Sequence, residues 1–511
     1  MREAPILVSG ATGYVGGRLV PLLLESGYRV RVLGRSLAKL ESRPWARHEN
    51  LEIAQADFLD YPSLEKAAEG CGAGFYLVHS MNSRHKDFVK ADKDAARNMA
   101  KAAARGGMAR MIYLGGLGVE DRNLSRHLRS RTEVARILQA SVPTTFLRAA
   151  MILGSGSASF EMMRYLVERL PVMITPRWVQ NPVQPISIRN VLGYLMGCLE
   201  HEETINGTFD IGGPDILTYK QLMETYAEEA GLKRRRIIPL PVLTPRLSSY
   251  WIHLVTPVPS HIARPLAEGL RNPVVCTENR IRSIIPQELY GVRETIRRAL
   301  GKVREHCVET CWADAGSIRY PEWHLCGDAP YAGGTVLEAG YRMILDARPE
   351  DVWPVIAHIG GKSGWYSARF LWTLRGLMDR LAGGIGFRIG RLDPVRLRPG
   401  DPLDFFRVLE VNEPNRLLLL AEMKLPGEAT LEFRLHPLPE GGTELQQLSR
   451  FLPKGVLGLG YWYSLYPFHQ LIFKGMIHGI ARSVGRRVIE GPDRFAPRLP
   501  HVCRIDPNQQ V

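Results

Sequence analysis

A disulfide-rich cysteine pattern, long charge runs and an uninterrupted apolar span are all missing from this 511-residue chain. Its seven cysteines are an odd number at irregular spacing, which excludes a stapled secreted framework and predicts reduced thiols in a cytoplasmic protein. The formal charge of +14 comes from 66 Lys and Arg against 52 Asp and Glu, with no long basic run. That scatter argues against a nucleic-acid partner and leaves solvated surface, an anionic cofactor or a membrane face. No internal repeat or low-complexity tract is present. Met1 to Pro5 lead straight into an apolar run, so no signal peptide is expected. The least polar stretch, Leu457 to Phe473, has no acidic or basic residue apart from His469. Its glycines and proline, Ser464 and Gln470, and Lys474 directly after, predict a buried helix and no stable membrane insertion.

What is present organises itself around residues 5 to 35. Ile6, Leu7 and Val8 form an apolar run that meets glycines spaced G-x-x-G-x-x-G at Gly10, Gly13 and Gly16. Helical periodicity follows (Val15, Leu19, Leu22, Leu23), then Ser26-Gly27 as a stop and a second apolar strand from Tyr28 to Leu33. A strand–turn–helix–strand context makes a glycine pattern a credible dinucleotide site. Gly10 permits the tight turn, Gly13 admits a pyrophosphate to the backbone N–H groups, and Gly16 lets the helix lie close on the sheet. The helix end then turns its partial positive charge to the phosphates. Thr12, Tyr14 and Val15 complete the loop. An acid at the end of the second strand would select NAD; Arg35-Ser36 stand there instead. A guanidinium pairs with a 2′-phosphate, which favours NADP, with NAD the lesser candidate.

Strands and helices go on alternating. Strands are predicted at 51–56, 74–79, 110–114 and 144–148, with helices at 62–69, 84–105 and 126–139. This rhythm means a parallel sheet covered on both faces, with ligands beyond the carboxyl ends of its strands. Asp57, His79 and Gly115 sit at such ends. Asp57 suits two roles, receiving the adenine amino group or shaping an ordinary turn.

Residues 5 to about 300 resemble an atypical or extended short-chain dehydrogenase/reductase of the NmrA-like type. The resemblance is carried by Gly10-Ala-Thr-Gly13-Tyr-Val-Gly16, Arg35, Ala56-Asp57, the strand Arg110-Met-Ile-Tyr-Leu, and Thr145-Phe-Leu-Arg148. Gln184-Pro-Ile-Ser-Ile-Arg189 and Phe209-Asp-Ile-Gly-Gly-Pro214 extend it. It implies a doubly wound Rossmann sheet and hydride chemistry with NADP(H). It also implies a Tyr-x-x-x-Lys pair after a serine, in which lysine lowers the tyrosine pKa for proton transfer. Here the strand ends in Leu114-Gly115-Gly116, without the serine. His127 stands where tyrosine belongs and Arg131 where lysine belongs. Histidine exchanges protons near neutral pH, and arginine can hold a ribose or phosphate. An arginine-rich surface helix reads the same way, so both accounts of His127 and Arg131 stay open.

His306, Cys307, Cys311, His324 and Cys326 fall within 21 residues. Their spacing matches no common closed zinc site, and they are read as incidental to a linker, with no metal expected. After Gly333-Gly334 the rhythm changes. A strand from 335 to 345 and a short helix opened by Arg348-Pro-Glu-Asp-Val-Trp353 lead into successive antiparallel strands at 403–409, 416–424, 429–437 and 443–451. A long helical stretch from 455 to 490 closes the region. This order, with Asp346-Ala-Arg-Pro-Glu-Asp-Val-Trp353, resembles the SRPBCC (START-like) helix-grip fold, which implies an apolar pocket between a curved sheet and the last helix.

The sequence thus predicts an α/β NAD(P)-binding domain over 1–305, a linker over 306–333, an α+β helix-grip domain over 334–495 and a tail over 496–511. The expected function is NADP(H)-dependent reduction of an apolar carbonyl or quinone-like compound. The alternative is a non-catalytic NADP(H) sensor or assembly factor whose second domain binds a small molecule or lipid.

Overall fold

The computed structural model describes residues 4–78, 88–118, 126–240, 268–269, 272–304, 310, 336–361, 363–381, 384, 386, 391, 393, 396–439 and 441–495. His79, the cluster His306, Cys307, Cys311, His324 and Cys326, and the side chain of His127 lie outside the described residues. The chain divides into two compact units, Met1–Ser317 and Ile318–Val511.

The first unit is built on seven strands: β1 (Ile6–Ser9), β2 (Val30–Gly34), β3 (Leu51–Gln55), β4 (Ala73–Tyr76), β5 (Arg110–Gly116), β6 (Thr144–Ala149) and β7 (Thr208–Ile211). All pair in parallel, in the order β7-β6-β5-β4-β1-β2-β3. This is the doubly wound order of a Rossmann-type sheet. Side-chain alternation along the strands divides the core in two. Ile6, Val8, Val30 and Val32 face one way, under Leu19, Val20 and Leu23 of helix α1 (Gly16–Glu25). Leu7, Leu33, Met111 and Tyr113 face the other way, under α3 (Tyr61–Ala68), α4 (Phe88–Arg105) and α5 (Arg126–Gln139). A five-residue helix, α2 (Leu37–Glu41), sits between β2 and β3. Helices α6 (Ala158–Arg169), α8 (Tyr219–Glu229) and α9 (Val292–Arg304) share a separate apolar cluster around Phe160, Tyr226 and Ile296, while α7 (Ile188–Glu200) joins α1.

The second unit has one antiparallel sheet of β8 (Leu337–Leu345), β9 (Pro402–Leu403), β10 (Phe406–Asn412), β11 (Arg416–Ala421), β12 (Gly427–Pro437), β13 (Thr443–Pro453) and β14 (Val488–Phe495), in the order β9-β10-β11-β12-β13-β8-β14. Leu431, Phe433 and Leu435 of β12 point into the core with α10 (Pro349–Ala357) and α12 (Gly455–Val484). Between them Glu432 faces away and is held by Arg416 at 2.6 Å and Arg434 at 2.7 Å. Burial pushes its carboxyl up, but the two guanidinium groups outweigh burial and hold it below the usual carboxylate range.

Two features depart from the sequence expectation. The last helix ends at Val484, where Gly485 takes φ 69° and its N–H reaches back to the carbonyl of Ala481. That left-handed cap turns the chain into β14, which pairs with β8. A further helix, α11 (Arg369–Leu381), occupies a stretch without a sequence assignment.

Candidate cofactor site

Strand order reverses at β1, with β2 on one side and β4 on the other, and ligands of such sheets lie beyond the strand ends at this point. Ser9 sets the geometry. Its Oγ donates to the carbonyl of Phe75 at 2.7 Å and accepts from the Leu77 N–H at 3.1 Å, latching the ends of β1 and β4 together. Gly10 follows with φ 75°, and a Cβ there would lie 2.7 Å from the Leu77 carbonyl oxygen. Both the conformation and the space demand glycine. The Gly13 N–H donates to the Gly10 carbonyl at 2.9 Å and closes the turn. A Cβ on Gly16 would stand 2.3 Å from that carbonyl oxygen, so α1 can start this close to the loop only as glycine. Gly13 differs, since a Cβ there would meet only the Gly10 oxygen, at 3.2 Å. That flank of the loop is open. Helix α1 carries no side-chain cap and no acid in its first turn, which leaves the positive end of its dipole uncancelled by its own side chains.

At the end of β2, Arg35 is exposed and makes no ion pair among the described residues; its carbonyl accepts from Gln55 Nε2 at 3.2 Å. Ser36 caps α2, accepting from the Lys39 N–H at 3.4 Å. A second guanidinium, which the sequence reading passed over, also reaches the loop. Arg43 is buried and its Nη2 donates to the Thr12 carbonyl at 3.5 Å. No local pattern in the sequence singles it out. Asp57 acts in a turn: Oδ1 accepts from the Leu59 N–H at 3.0 Å and its own N–H donates to Ser63 Oγ at 3.1 Å.

Tyr14 is engaged away from the glycines. Arg18 stacks over its ring at 4.5 Å and donates to its hydroxyl at 3.0 Å. Thr310 Oγ1 donates to its carbonyl at 2.9 Å and packs on Gly17. Thr310 falls in the stretch read as linker, yet it seals the helix start. Val15 is half-buried against the α1 core.

At the end of β5, a Cβ on Gly115 would run into the Phe146 ring, which stacks on Tyr113. Arg131 is 5% exposed and belongs to a buried polar group inside the helix layer. Ser130 Oγ donates to Asp92 Oδ2 at 3.3 Å, and neither Tyr113 Oη nor Arg131 Nη2 meets a hydrogen-bond partner among the described residues. Burial pushes the Tyr113 and Tyr76 phenols up, with the Arg131 charge pulling the other way. His127 lies on α5 with Arg131 one turn further on. No cluster of three or more His, Cys, Asp or Glu side chains able to hold a metal occurs among the described residues.

Both parts of the chain are similar to known proteins. Residues 10–150 match a family model described as NAD(P)H-binding, and residues 331–476 match one described as a protein of unknown function (DUF2867). Cinnamoyl-CoA reductase 1 of Petunia hybrida is 31% identical over 121 residues, 22% of this chain and 35% of that enzyme. The match thus spans about a third of that relative's own length. An isoflavone reductase homolog of Lupinus albus is 24% identical over 245 residues, 45% of this chain and 77% of that protein. Among solved structures, the triphenylmethane reductase of Citrobacter sp. complexed with NADP(H) superposes with a TM-score of 0.48 at 19% identity, covering 57% of this chain and 99% of that one.

Proposed function

We propose that the chain, which matches an NAD(P)H-binding family model over 10–150 and a DUF2867 model over 331–476, is an NADP(H)-dependent short-chain reductase of an apolar carbonyl or quinone-like compound. One observation carries the cofactor reading. An open glycine loop lies at the reversal of strand order, and an exposed arginine, rather than an acid, stands at the end of β2. Gly10, Thr12, Gly13 and Gly16 would cradle the diphosphate, Gly13 by leaving room for it, since its own N–H is given to the Gly10 carbonyl; Arg35 would take the 2′-phosphate, and Arg43 would steady the loop from behind. Ser36, Val15 and Gly115 would shape the rim, while Tyr14 and Asp57 would act through the packing of helix and turn. NADPH supplies a hydride when bound. His127 is the side chain proposed to move the accompanying proton, because it occupies the position of the tyrosine in the resembled family and an imidazole ordinarily exchanges protons near neutral pH.

A second reading, a non-catalytic NADP(H) sensor, is favoured by a specific feature. Arg131 is buried beside Tyr113 in the helix layer, and Leu114-Gly115-Gly116 supply no serine. Calorimetry with NADPH and NADH, followed by NADPH consumption against a panel of carbonyls and quinones, separates the readings. The enzyme reading expects turnover that His127→Phe abolishes while NADPH still binds. Binding without turnover on any member of the panel supports the sensor, and no affinity for either nucleotide ends both. Arg35→Ala is expected to weaken NADPH about tenfold or more and leave NADH unchanged.

For the second unit we propose a helix-grip fold around an apolar ligand. In support, Gln447 is 1% exposed and lies in register with Phe433 and Tyr341 on the core face of the sheet. Neither of its amide atoms, nor Nδ1 of His469, has a hydrogen-bond partner among the described residues. Leaving such groups buried and unpaired costs about 1–3 kcal/mol each, which a polar group on a ligand would offset. Native mass spectrometry of the purified protein should reveal a copurifying small molecule, and Gln447→Leu should reduce its retention.

A further inference from the structure

Two helices of the second unit turn apolar faces outward. On α11, positions 370, 373, 374, 377, 378 and 381 share one side at helical spacing. Phe370 is 75% exposed and Leu381 71%, with Leu374, Leu377 and Met378 exposed between them. The opposite stripe, with Trp372 and Gly376, is buried. The helix therefore turns its apolar side outward and keeps Asp379 inward beside Trp372 and Gly376, whereas a helix solvated on its outer face is ordinarily polar there. The first half of α12 repeats the pattern, with Leu457 82% exposed and Tyr463, Phe468 and Leu471 exposed after it.

The two helices are held near one another at both ends. At one end, Gly475 and Gly479 of α12 pack against Ser367 and Tyr366, which lead into α11. At the other, Asp379 Oδ1 accepts from the Lys424 N–H at 2.7 Å, and the Lys454 N–H donates to the Pro426 carbonyl at 2.8 Å. One hairpin thus anchors the end of α11 and the start of α12, and the two helices run antiparallel.

Cations frame the two helices. Arg369, Lys474 and Arg482 are exposed, as is the Lys454 side chain, which lies 3.8 Å from Glu428. No Asp or Glu occurs from residue 455 to 489. The single carboxylate of α11, Asp379, is buried and committed to the N–H groups of Lys424 and Gly386. An apolar face rimmed by cations complements acyl chains beneath anionic headgroups. A second copy of this chain would instead set the cationic rim against itself across a two-fold axis.

We propose that this face seats the protein on the surface of an anionic bilayer, with Phe370, Leu374, Leu377, Leu381, Leu457 and Phe468 in the headgroup–acyl boundary. Seating is peripheral, since no helix among the described residues is long and apolar enough to cross a membrane. It does not depend on the redox reading. The test is cosedimentation of the full chain with vesicles of phosphatidylglycerol and phosphatidylcholine, against phosphatidylcholine alone, with light scattering for oligomeric state. The expected result is binding to the anionic vesicles that declines with salt. Phe370→Asp with Leu377→Asp should lower the bound fraction about tenfold or more at unchanged near-ultraviolet circular dichroism. Arg369→Glu with Lys474→Glu should weaken binding with every apolar side chain in place, and carries the test if the first pair fails to fold. Wild-type protein that stays in the supernatant with both vesicles overturns the proposal. So does a folded Asp pair that binds like wild type, or a dimer that Leu377→Asp splits.

Discussion

Alanine at Gly13 and at Gly16 should have opposite consequences, and the contrast tests the cofactor loop directly. At Gly16 the added methyl would stand 2.3 Å from the Gly10 oxygen, 2.8 Å from its carbon and 3.0 Å from Ala11 Cα. All three are backbone atoms, so α1 must retreat from the loop. Overpacking of this kind costs about 1–3 kcal/mol. At Gly13 the methyl meets one oxygen at 3.2 Å, and the residue lies outside the left-handed region. Stability should then change by no more than about 1 kcal/mol, because the loss of chain entropy in the unfolded state offsets the crowding. The same methyl fills the flank where a diphosphate would approach the N–H groups. NADPH affinity should fall about tenfold or more, equivalent to at least about 1.4 kcal/mol. Urea unfolding followed by tryptophan fluorescence, together with calorimetry on each variant, measures both quantities. A Gly13→Ala protein that binds NADPH like wild type would refute the assignment of the loop. A Gly16→Ala protein of wild-type stability would refute the close approach of α1.

Two further outcomes follow from buried charge. Burial holds His469 down at about 4, against an ordinary 6.5. The unfolded chain therefore takes up its proton first, and stability present above pH 6.5 is lost as pH falls towards 4, by about 3 kcal/mol in total. His469→Leu should remove that part of the pH slope in urea midpoints measured from pH 7.5 to 4.5, and parallel profiles for the two proteins would contradict it. Asp210 has no exposed side-chain surface and accepts from Arg148 Nε at 2.7 Å and from the Thr277 N–H and Oγ1, both at 2.8 Å. Asp210→Ala leaves Arg148 without its partner and releases the segment at Thr277, so a loss of about 3–5 kcal/mol is expected, read as a lowered Tm. A loss below about 1 kcal/mol would show that water replaces the carboxylate.

What the sequence by itself determined lies within a few residues of its own signal. The turn from β1 into α1 was legible because glycine spacing and strand periodicity act between chain neighbours. Helix α5 was bounded correctly at Arg126 and Gln139 for the same reason, and the strands β10 to β13 were found within a few residues of their ends. Tertiary structure alone decided how distant residues meet. The Ser9 latch to β4, Arg43 behind Thr12 and Thr310 on Tyr14 join parts of the chain that no local pattern relates. Arg131 stands where the resemblance expects the catalytic lysine, a position that an arginine-rich surface helix would fill equally, and only the packing of the helix layer puts it beside Tyr113. Helix α11 had no sequence assignment although Phe370, Leu374, Leu377 and Leu381 recur at helical spacing, and only the fold decides that this stripe faces outward. Strand β14, with Glu490, Pro492, Asp493 and Arg494, shows no alternation and is a strand because β8 offers it an edge. Periodicity reports which side of an element is buried; which element buries it is settled only when the chain closes on itself.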